Sequence, residues 1–511
     1  MSDRSTDSSP SLMRRLFKYL AGFVVLLILA LLGGVEYLNW KGDREWRAFR
    51  SEWGAKGEKF DPMDFVPASV PEDQNFATTP LLAALNDFTK PPGQGLRWNN
   101  PELKDRVTAI GAVFQNQGRR KSPDPGHWQL GIPMDLIPWQ RFLSTNSTDD
   151  AASQKEAGRA IIGVLQQFDD EFAELAAASV RPHSVFRLNY SENFRMLLPH
   201  LASLKGISQA LRLRAVARLA ADQKQGAFED VKLGLRFADV LKSEPLLISQ
   251  LVRIASLQLA MQPLWEGAVR HEWSETQLVE LQQILVKMDF LASYGVAIRT
   301  ERAFGNATID ELRTGKIPFS SLGDIGDGGP GAPDVASRIV PSGWYRLNQL
   351  TLNRLFQERC LPLIDPARHR VDAELAKSID EAPELKGAAM FNVFARLLFP
   401  AVGKSALKFA HAQASVDLSL TACALERFRL KHGTYPSNLD PLVPEFIERI
   451  PVDVMTGELP RYRLEADGRF VLYSVGWNQL DEDGKPGANK AGNAVDALNG
   501  DWCWRLAAAP Q

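Results

Sequence analysis

The segment Ala424–Gly484 constrains the fold most, because its residue order predicts a definite succession of local structures. A helix is predicted to end at Gly433, since glycine readily adopts the left-handed conformation that stops a helix. Residues 461–464 and 469–473 alternate between apolar and polar on either side of Asp467-Gly468, which is the strongest short-range signal for a β-hairpin. The segment is therefore predicted to fold as a helix followed by a small antiparallel sheet.

The helix before this turn, predicted over 404–431, carries apolar residues on two sides. One seam passes through His411 and Leu418, and a second passes through Phe409 and Leu420. A helix that is apolar on two sides is packed on both, here by its own small sheet and by a helical body. We expect His411 to be a hydrogen-bonded core histidine rather than a metal ligand.

Several short motifs in this region occur in a fixed order: ALERFRLKHGTYP, Leu439–Leu442, Ile450-Pro451-Val452-Asp453, Thr456-Gly457 and Ser474-Val475-Gly476. This order resembles the globular domain of the major pseudopilin of type II secretion systems, over roughly Lys404 to Leu506. The resemblance implies a small α+β domain and a role outside the cytoplasm. In that family the membrane helix directly precedes the domain, whereas here the membrane-length segment lies at the other end of the chain.

A loop rich in acidic and amide side chains follows the hairpin and is the candidate metal site. Hard oxygen ligands of this kind suit calcium, and the loop offers Asn478, Asp481, Asp483 and Asp501. The pseudopilin resemblance implies calcium in this loop, with Asn478 and Asp501 at the matching positions. The alternative is a solvated turn, because Asp and Gly favour turns in any case. Calcium is the candidate cofactor, and no catalytic residue is assigned.

The N-terminal region contains a run without any charged residue, Tyr19 to Val35, which would span about 26 Å as a helix. With Leu16 and Phe17 it reaches membrane thickness, and Tyr37 and Trp40 lie where interfacial aromatic residues are found. An uncleaved transmembrane anchor over 16–38 is predicted. The alternative is a cleaved signal peptide, which usually has a shorter apolar core.

The orientation of this anchor rests on charge and on the C-terminal domain. Lys and Arg residues are equally frequent shortly before and shortly after the run, but three of those before it, Arg14, Arg15 and Lys18, adjoin the membrane edge. The pseudopilin-like end also belongs outside the cytoplasm. The N-terminus is therefore predicted to be cytoplasmic and the body periplasmic or otherwise extracytoplasmic.

The middle of the chain shows helical periodicity from Ala151 to about Leu312. Ser274 with Gln277, and Thr308 with Glu311, are each predicted to form a capping box that opens a helix. The stretch from Leu211 to Pro245, with a break at residues 224–226, resembles one tetratricopeptide hairpin. Stacked antiparallel helix pairs are the general expectation.

These observations predict a mainly α protein with stacked helical hairpins, an N-terminal transmembrane helix and a small C-terminal α+β pseudopilin-like domain. The predicted segments are a disordered cytoplasmic tail (1–15), the transmembrane anchor (16–38), an irregular region with short helices wrapped on the next domain (42–150), a helical repeat-like domain (151–314), a Gly/Pro-rich linker (315–341), a helical region (342–402) and the pseudopilin-like domain (403–511).

The functional prediction is a membrane-anchored binding or scaffold protein that presents a helical surface to a protein partner. The formal net charge of −2 over 511 residues gives no overall field that would attract nucleic acid, and no nucleic-acid partner is predicted. One alternative is an accessory component of a type II secretion or pilus-like system. A second is an enzyme with its active site in a cleft near residues 315–341.

Overall fold

The computed structural model describes residues 12–91, 95–114, 122–143, 151–320, 340–380, 382, 385, 390–397 and 404–506. The chain forms two compact units. Unit 1 comprises Met1–Phe60, Gly305–Leu355 and Pro383–Leu398, and unit 2 comprises Asp61–Phe304, Phe356–Ala382 and Phe399–Gln511. Most of the described chain is helical, which confirms the mainly α fold class.

The α-helices are α1 (Leu12–Ala55), α2 (Pro80–Ala83), α3 (Pro101–Ala112), α4 (Leu136–Leu143), α5 (Gln154–Leu165), α6 (Asp169–Ala178), α7 (His200–Ala220), α8 (Lys224–Asp239), α9 (Leu247–Val269), α10 (Glu275–Leu285), α11 (Phe290–Arg313), α12 (Ser342–Leu355), α13 (Ala373–Asp380) and α14 (Ser405–His432). Short 3₁₀ turns cover Pro62–Phe65, Glu72–Gln74, Phe76–Thr78, Trp128–Leu130, Gln166–Phe168, Tyr190–Arg195, Leu361–Leu363 and Asp440–Leu442, and a π-turn covers Phe356–Cys360.

The strands are β1 (Phe88–Thr89), β2 (Arg97–Trp98), β3 (Ile364–Asp365), β4 (Arg370–Val371), β5 (Arg461–Leu464), β6 (Phe470–Ser474), β7 (Pro486–Ala488), β8 (Val495–Gly500) and β9 (Trp502–Arg505). Each forms part of a small antiparallel sheet, and the largest has the order β5-β6-β9. The predicted hairpin is confirmed, because Leu464 pairs with Phe470 across the Asp467-Gly468 turn and Gly468 has φ of 80°.

Unit 1 is organised around α1, which begins inside the predicted tail and extends well past the predicted anchor. In the described part of the chain, α1 is the one helix long and apolar enough to cross a membrane, and its apolar window is fully exposed. The part of α1 beyond this window packs against α12 of the same unit. The contact is apolar and involves Trp46, Phe49, Leu347 and Leu350.

The core of unit 2 is a set of helices packed against one another. Helix α7 packs against α3, α5, α8 and α9. The turn between α7 and α8 lies at residues 221–223, with Asp222 in the left-handed conformation at φ of 62°. The break predicted at residues 224–226 is therefore wrong, because these residues lie inside α8. A Cβ on Gly226 would come within 3.2 Å of the Arg218 side chain.

Of the two predicted capping boxes, one is confirmed and one is wrong. Ser274 and Gln277 cap α10 reciprocally, with side-chain to backbone distances of 3.3 and 2.9 Å. Thr308 and Glu311 lie within α11, and no helix begins there. Thr308 is buried, and the apolar residues around it, Ile309 and Leu312, keep the helix packed through this point. The capping pattern therefore occurs inside a continuous helix.

Helix α14 lies within unit 2 and is packed on two sides, as predicted. One side contacts α9 and α10, and another contacts strands β6 and β9. Gln258 of α9 donates to Ser415 Oγ at 3.0 Å, and the Trp265 indole N–H donates to the Arg505 carbonyl at 2.8 Å. The helix ends where Gly433 adopts φ of 83°. The small sheet and the helical core thus share one helix.

The predicted segment boundaries remain a prediction, since the compact units are defined by contacts and combine segments that are distant in sequence. Most of the Gly/Pro-rich linker (315–341) lies outside the described residues, which stop at 320 and resume at 340. The enzyme cleft predicted near it also lies largely outside them.

Candidate functional site

A groove of about 880 Å³ lies in unit 2 along one face of α14. Its walls are α10 with the turn that follows it, the turn between β3 and β4 at residues 366–369, and the loop 444–452. These segments are far apart in sequence, and the packing of α14 against α10 brings them together.

Apolar side chains form much of the groove surface. Val416 and Leu420 contribute the face of α14, and Leu285 and Met288 contribute the α10 side. Most of this surface is well buried, but Val286 at the rim is 67% exposed. Ligand sites are usually concave and lined mainly by apolar side chains, so this groove is a candidate binding site.

The polar end of the groove is built around His369 and Asp417. His369 Nε2 lies 2.8 Å from Asp417 Oδ2, and the Gln413 amide donates to Asp417 Oδ1 at 3.0 Å. Gln413 is fixed in turn by the Phe290 backbone N–H, which donates to its Oε1 at 2.8 Å. His369 adopts φ of 52° at the end of the β3–β4 turn, a conformation that histidine tolerates better than most residues.

The surroundings of the His369 imidazole shift its pKa towards the charged form. Burial lowers its pKa, but the hydrogen bond and the negative charge of Asp417 outweigh burial and raise the pKa above its ordinary value. Asp289 adds a further raising effect, and Arg449 opposes it. Burial also raises the pKa of the Asp417 carboxyl, which His369 opposes. The groove therefore holds a partly buried, hydrogen-bonded His–Asp pair at this end.

Charged residues of both signs surround the rest of the groove. Arg427 donates to Glu275 at 2.8 Å, to the Gln282 side chain at 2.9 Å and to the Phe446 carbonyl at 2.6 Å, so it ties α14, α10 and the loop 444–452 together. Glu448 and Arg449 are exposed on the loop itself. The rim therefore favours neither a purely anionic nor a purely cationic ligand.

The loop 444–452, which lines the groove, also contains main-chain groups without a protein partner in the described part of the chain. Among the described residues, no hydrogen-bond acceptor is paired with the backbone N–H of Glu448, Arg449, Ile450 or Val452, and no donor is paired with the carbonyl of any residue in the range 447–452. Main-chain groups of this kind require partners, either water or a ligand.

The described lining residues include no Ser, Thr, Cys or Tyr side chain beside the His369–Asp417 pair. The three cysteines of the chain, Cys360, Cys423 and Cys503, are all free and buried, and burial raises the pKa of the Cys423 thiol to about 12. The Cys423 thiol is therefore not available as a thiolate nucleophile.

The four residues predicted to bind calcium have other partners in this structure. The Asn478 amide donates to Glu482 at 2.6 Å, Asp481 accepts from the Tyr473 hydroxyl at 3.0 Å, and Asp483 pairs with Arg463. Asp501 accepts from the Gly484 backbone N–H at 2.7 Å. In the described part of the chain no group of three or more acidic, His or Cys residues is arranged to hold a metal.

Asp501 nevertheless occupies a distinct position in this loop. It is almost fully buried, and burial raises the pKa of its carboxyl to about 6, while the amides of Gly484 and Glu482 oppose that shift. Its carboxylate holds the loop 482–484 against the sheet. The calcium site over Asn478, Asp481, Asp483 and Asp501 remains a prediction that cation binding has to test.

Sequence reasoning did not find the groove. His369 and Asp417 are 48 positions apart and carry no motif, and Val286 lies in the turn after α10 without a sequence signal of its own. The prediction for His411 is confirmed, since its Nε2 lies 2.9 Å from Gln129 Oε1 and burial lowers its pKa to about 4.

Comparison with known proteins adds no relative. No family model, curated protein or solved structure matches this chain.

Proposed function

We propose that this protein is a membrane-anchored binding protein that holds an extended polypeptide segment in the groove along α14. The observation that carries the proposal is the unpaired main chain of residues 448–452, which lies beside an apolar groove surface. An extended peptide can supply main-chain donors and acceptors to such a segment while its alternate side chains point towards the groove.

The remaining features of the groove support a peptide over a small anionic or cationic ligand. The apolar surface from Val416, Leu420 and Leu285 can accept aliphatic side chains. Exposed charges of both signs, including Glu448 and Arg449, can pair with the mixed charges of a polypeptide. The volume of about 880 Å³ is also in the range of sites that hold a ligand of several residues.

A binding experiment with the full chain in neutral lipid nanodiscs tests this proposal. An array of random 12-residue peptides identifies a binder, and its fluorescence anisotropy then measures the affinity for wild type, Val286→Asp and Val180→Asp. Val286 is 67% exposed at the groove rim, whereas Val180 is 84% exposed and lies away from the groove, so neither substitution disturbs a core.

We expect Val286→Asp to weaken binding by at least about tenfold, or about 1.4 kcal/mol, because a charge would be desolvated beside the apolar surface. Val180→Asp should bind like wild type. Equal affinity of all three proteins would contradict the proposal, and so would an array without any specific binder.

The location proposed for the body is outside the cytoplasm, with α1 as an uncleaved anchor and the N-terminus inside. The exposed apolar window of α1 and the basic residues before it support this orientation. Protease treatment of spheroplasts, whose outer layers have been removed, should degrade the body and leave the anchor. A body that resists protease until the cytoplasmic membrane is opened would contradict this location.

A second candidate function is that of an accessory component of a type II secretion or pilus-like system. It is favoured by the succession of α14, the Gly433 stop and the β5–β6 hairpin, which is the order of elements that suggested the pseudopilin resemblance. Co-purification of the full chain with such a machine from native membranes would support it, and purification alone would count against it.

A further inference from the structure

A second cavity lies in unit 1, on the part of α1 that follows the apolar run. It has a volume of about 470 Å³ and is lined by Asp43, Trp46, Arg47, Arg50 and Arg346. Three guanidinium groups and one carboxylate thus face the same space, which gives the lining an excess of positive charge. The cavity is separate from the groove along α14.

Close packing of two glycines explains why the arginines converge. A Cβ on Gly343 of α12 would come within 2.0 Å of the Leu38 carbonyl oxygen, and one on Gly42 of α1 within 2.6 Å of the Gly343 carbonyl oxygen. The two helix backbones therefore touch at this level. Arg346, one turn after Gly343, is brought against the turn of α1 that carries Asp43 and Arg47.

The charge of Arg346 is already compensated inside unit 1. Its side chain is 16% exposed and lies 3.4 Å from Asp43 and 2.8 Å from Asp310. These two carboxylates fix the guanidinium at the wall of the cavity. Substitution of Arg346 would therefore disturb the packing of α12 as well as any binding.

Arg47 and Arg50 lack such compensation. Within the described residues, neither has a carboxylate at salt-bridge distance. Arg47 donates from Nε to the Asp43 backbone carbonyl at 3.1 Å, and Arg50 lies over the Trp46 ring at 5.9 Å. Both side chains are exposed. Two guanidinium groups with free donors therefore point into the space that Arg346 closes.

The chemistry of such a site matches a phosphate group. Guanidinium groups present planar pairs of N–H donors that fit two phosphate oxygens at once, and Trp46 offers an apolar wall next to them. The position agrees with this ligand. Asp43 and Arg50 lie about 5 and 15 Å along the helix beyond the interfacial residue Trp40, where lipid phosphates and their aqueous surroundings meet.

We propose that this cavity binds a phosphate group, supplied either by an anionic lipid head group or by a soluble phosphate compound. Binding would fix the level of unit 1 at the membrane surface in the first case. In the second case it would couple a soluble metabolite to the membrane-proximal unit.

The experiment compares the full-length wild type with Arg47→Gln/Arg50→Gln and with Arg44→Gln. Arg44 is the matched control, since it is exposed on the same helix, stacks over Trp40 at 5.2 Å and does not line the cavity. Native mass spectrometry of protein from nanodiscs with phosphatidylcholine and phosphatidylglycerol counts retained anionic lipid. Calorimetric titration of inorganic phosphate in a neutral detergent tests the soluble source.

We expect wild type and Arg44→Gln to retain phosphatidylglycerol or to bind phosphate. In the experiment that shows binding, the double variant should retain at least about tenfold less lipid or bind phosphate at least about tenfold more weakly. The arm in which the loss occurs identifies the source. Equal behaviour of the double variant and wild type in both arms would overturn the proposal, as would an equal loss in Arg44→Gln. Should the double variant fail to fold, Arg50→Gln alone is measured against the same control.

Discussion

Gly343 of α12 and Leu38 of α1 meet at a distance that leaves no space for a side chain. A Cβ on Gly343 would come within 2.0 Å of the Leu38 carbonyl oxygen, and the Gly343 backbone N–H donates to the Asn39 side chain at 2.8 Å. The part of α1 that follows the apolar run is thereby joined to α12. This contact determines where Arg346 lies.

Substitution Gly343→Ala should therefore force α1 and α12 apart. We expect a loss of about 1–3 kcal/mol in the stability of unit 1, because an added methyl group in close packing strains the backbone. Gly54→Ala on α1 is the control, since nothing lies within 4 Å of its Cβ position, and alanine favours the helix there. Thermal unfolding in neutral detergent measures both. A Gly343→Ala protein as stable as wild type would contradict the close contact.

The α7–α8 hairpin should depend on a buried carboxylate, Asp230. Arg214 donates from Nε to both of its oxygens at 3.1 Å, and Arg218 donates to Oδ2 at 2.8 Å. Substitution Asp230→Asn removes the buried counterion of Arg214 and leaves only the half-exposed Asp169, at 3.1 Å. A loss of about 3 kcal/mol is therefore expected. The control Asp222→Asn, in the exposed turn between the same helices, should leave the thermal midpoint unchanged. Similar effects of the two variants would show that the buried pair has no special importance.

The ion pair of His369 and Asp417 should make the stability of the groove depend on pH. The pKa of folded His369 is raised above the unfolded value near 6.5. Its stabilising contribution is therefore fully present below that pH while Asp417 is ionised, and it is lost as pH rises through the folded pKa of His369. Asp417, Asp289 and Arg449 are the charges that face the imidazole.

We therefore expect His369→Gln to lower the free energy of unfolding by about 1 kcal/mol at pH 6. The partial exposure of the pair keeps this value small. The difference from wild type should shrink as the pH is raised to 9. Thermal midpoints of both proteins across this range provide the measurement. A difference that stays constant or grows with pH would refute the assigned sign.

Calcium binding by the acidic loop requires its carboxylates to exchange partners. Asp481 would leave the Tyr473 hydroxyl and Asp483 would leave Arg463, while Asp501 keeps the loop in place. The calcium prediction therefore expects calorimetric heat on titration of calcium into the full chain, and loss of that heat in Asp481→Asn/Asp483→Asn. The absence of heat with wild type would remove the prediction.

Local signals allowed the C-terminal elements to be predicted from the sequence. The stop at Gly433 and the hairpin at Asp467-Gly468 depend on backbone conformations that few residues adopt, so single positions carry the information. The same reasoning was wrong at Thr308, because a capping pattern inside a helix costs little when the surrounding apolar residues hold the helix together.

The groove could not be predicted in this way. His369 belongs to a turn between two two-residue strands, and Asp417 belongs to a helix that the sequence predicted only as core. Their meeting depends on how α14 packs on α10, which is a long-range property. The unpaired main chain of residues 448–452 likewise has no sequence signal, because pairing is decided by which other segments come near.

Hydrogen exchange of the loop 444–452 is the decisive measurement for the proposed groove. A peptide bound in the groove should slow exchange of the backbone amides of Glu448, Arg449, Ile450 and Val452, while the exposed turn at Asp467-Gly468 exchanges at its former rate. Mass spectrometry with the full chain in nanodiscs, with and without the peptide, gives both rates. Protection confined to another part of the molecule, with the loop unchanged, would contradict a peptide-binding groove along α14.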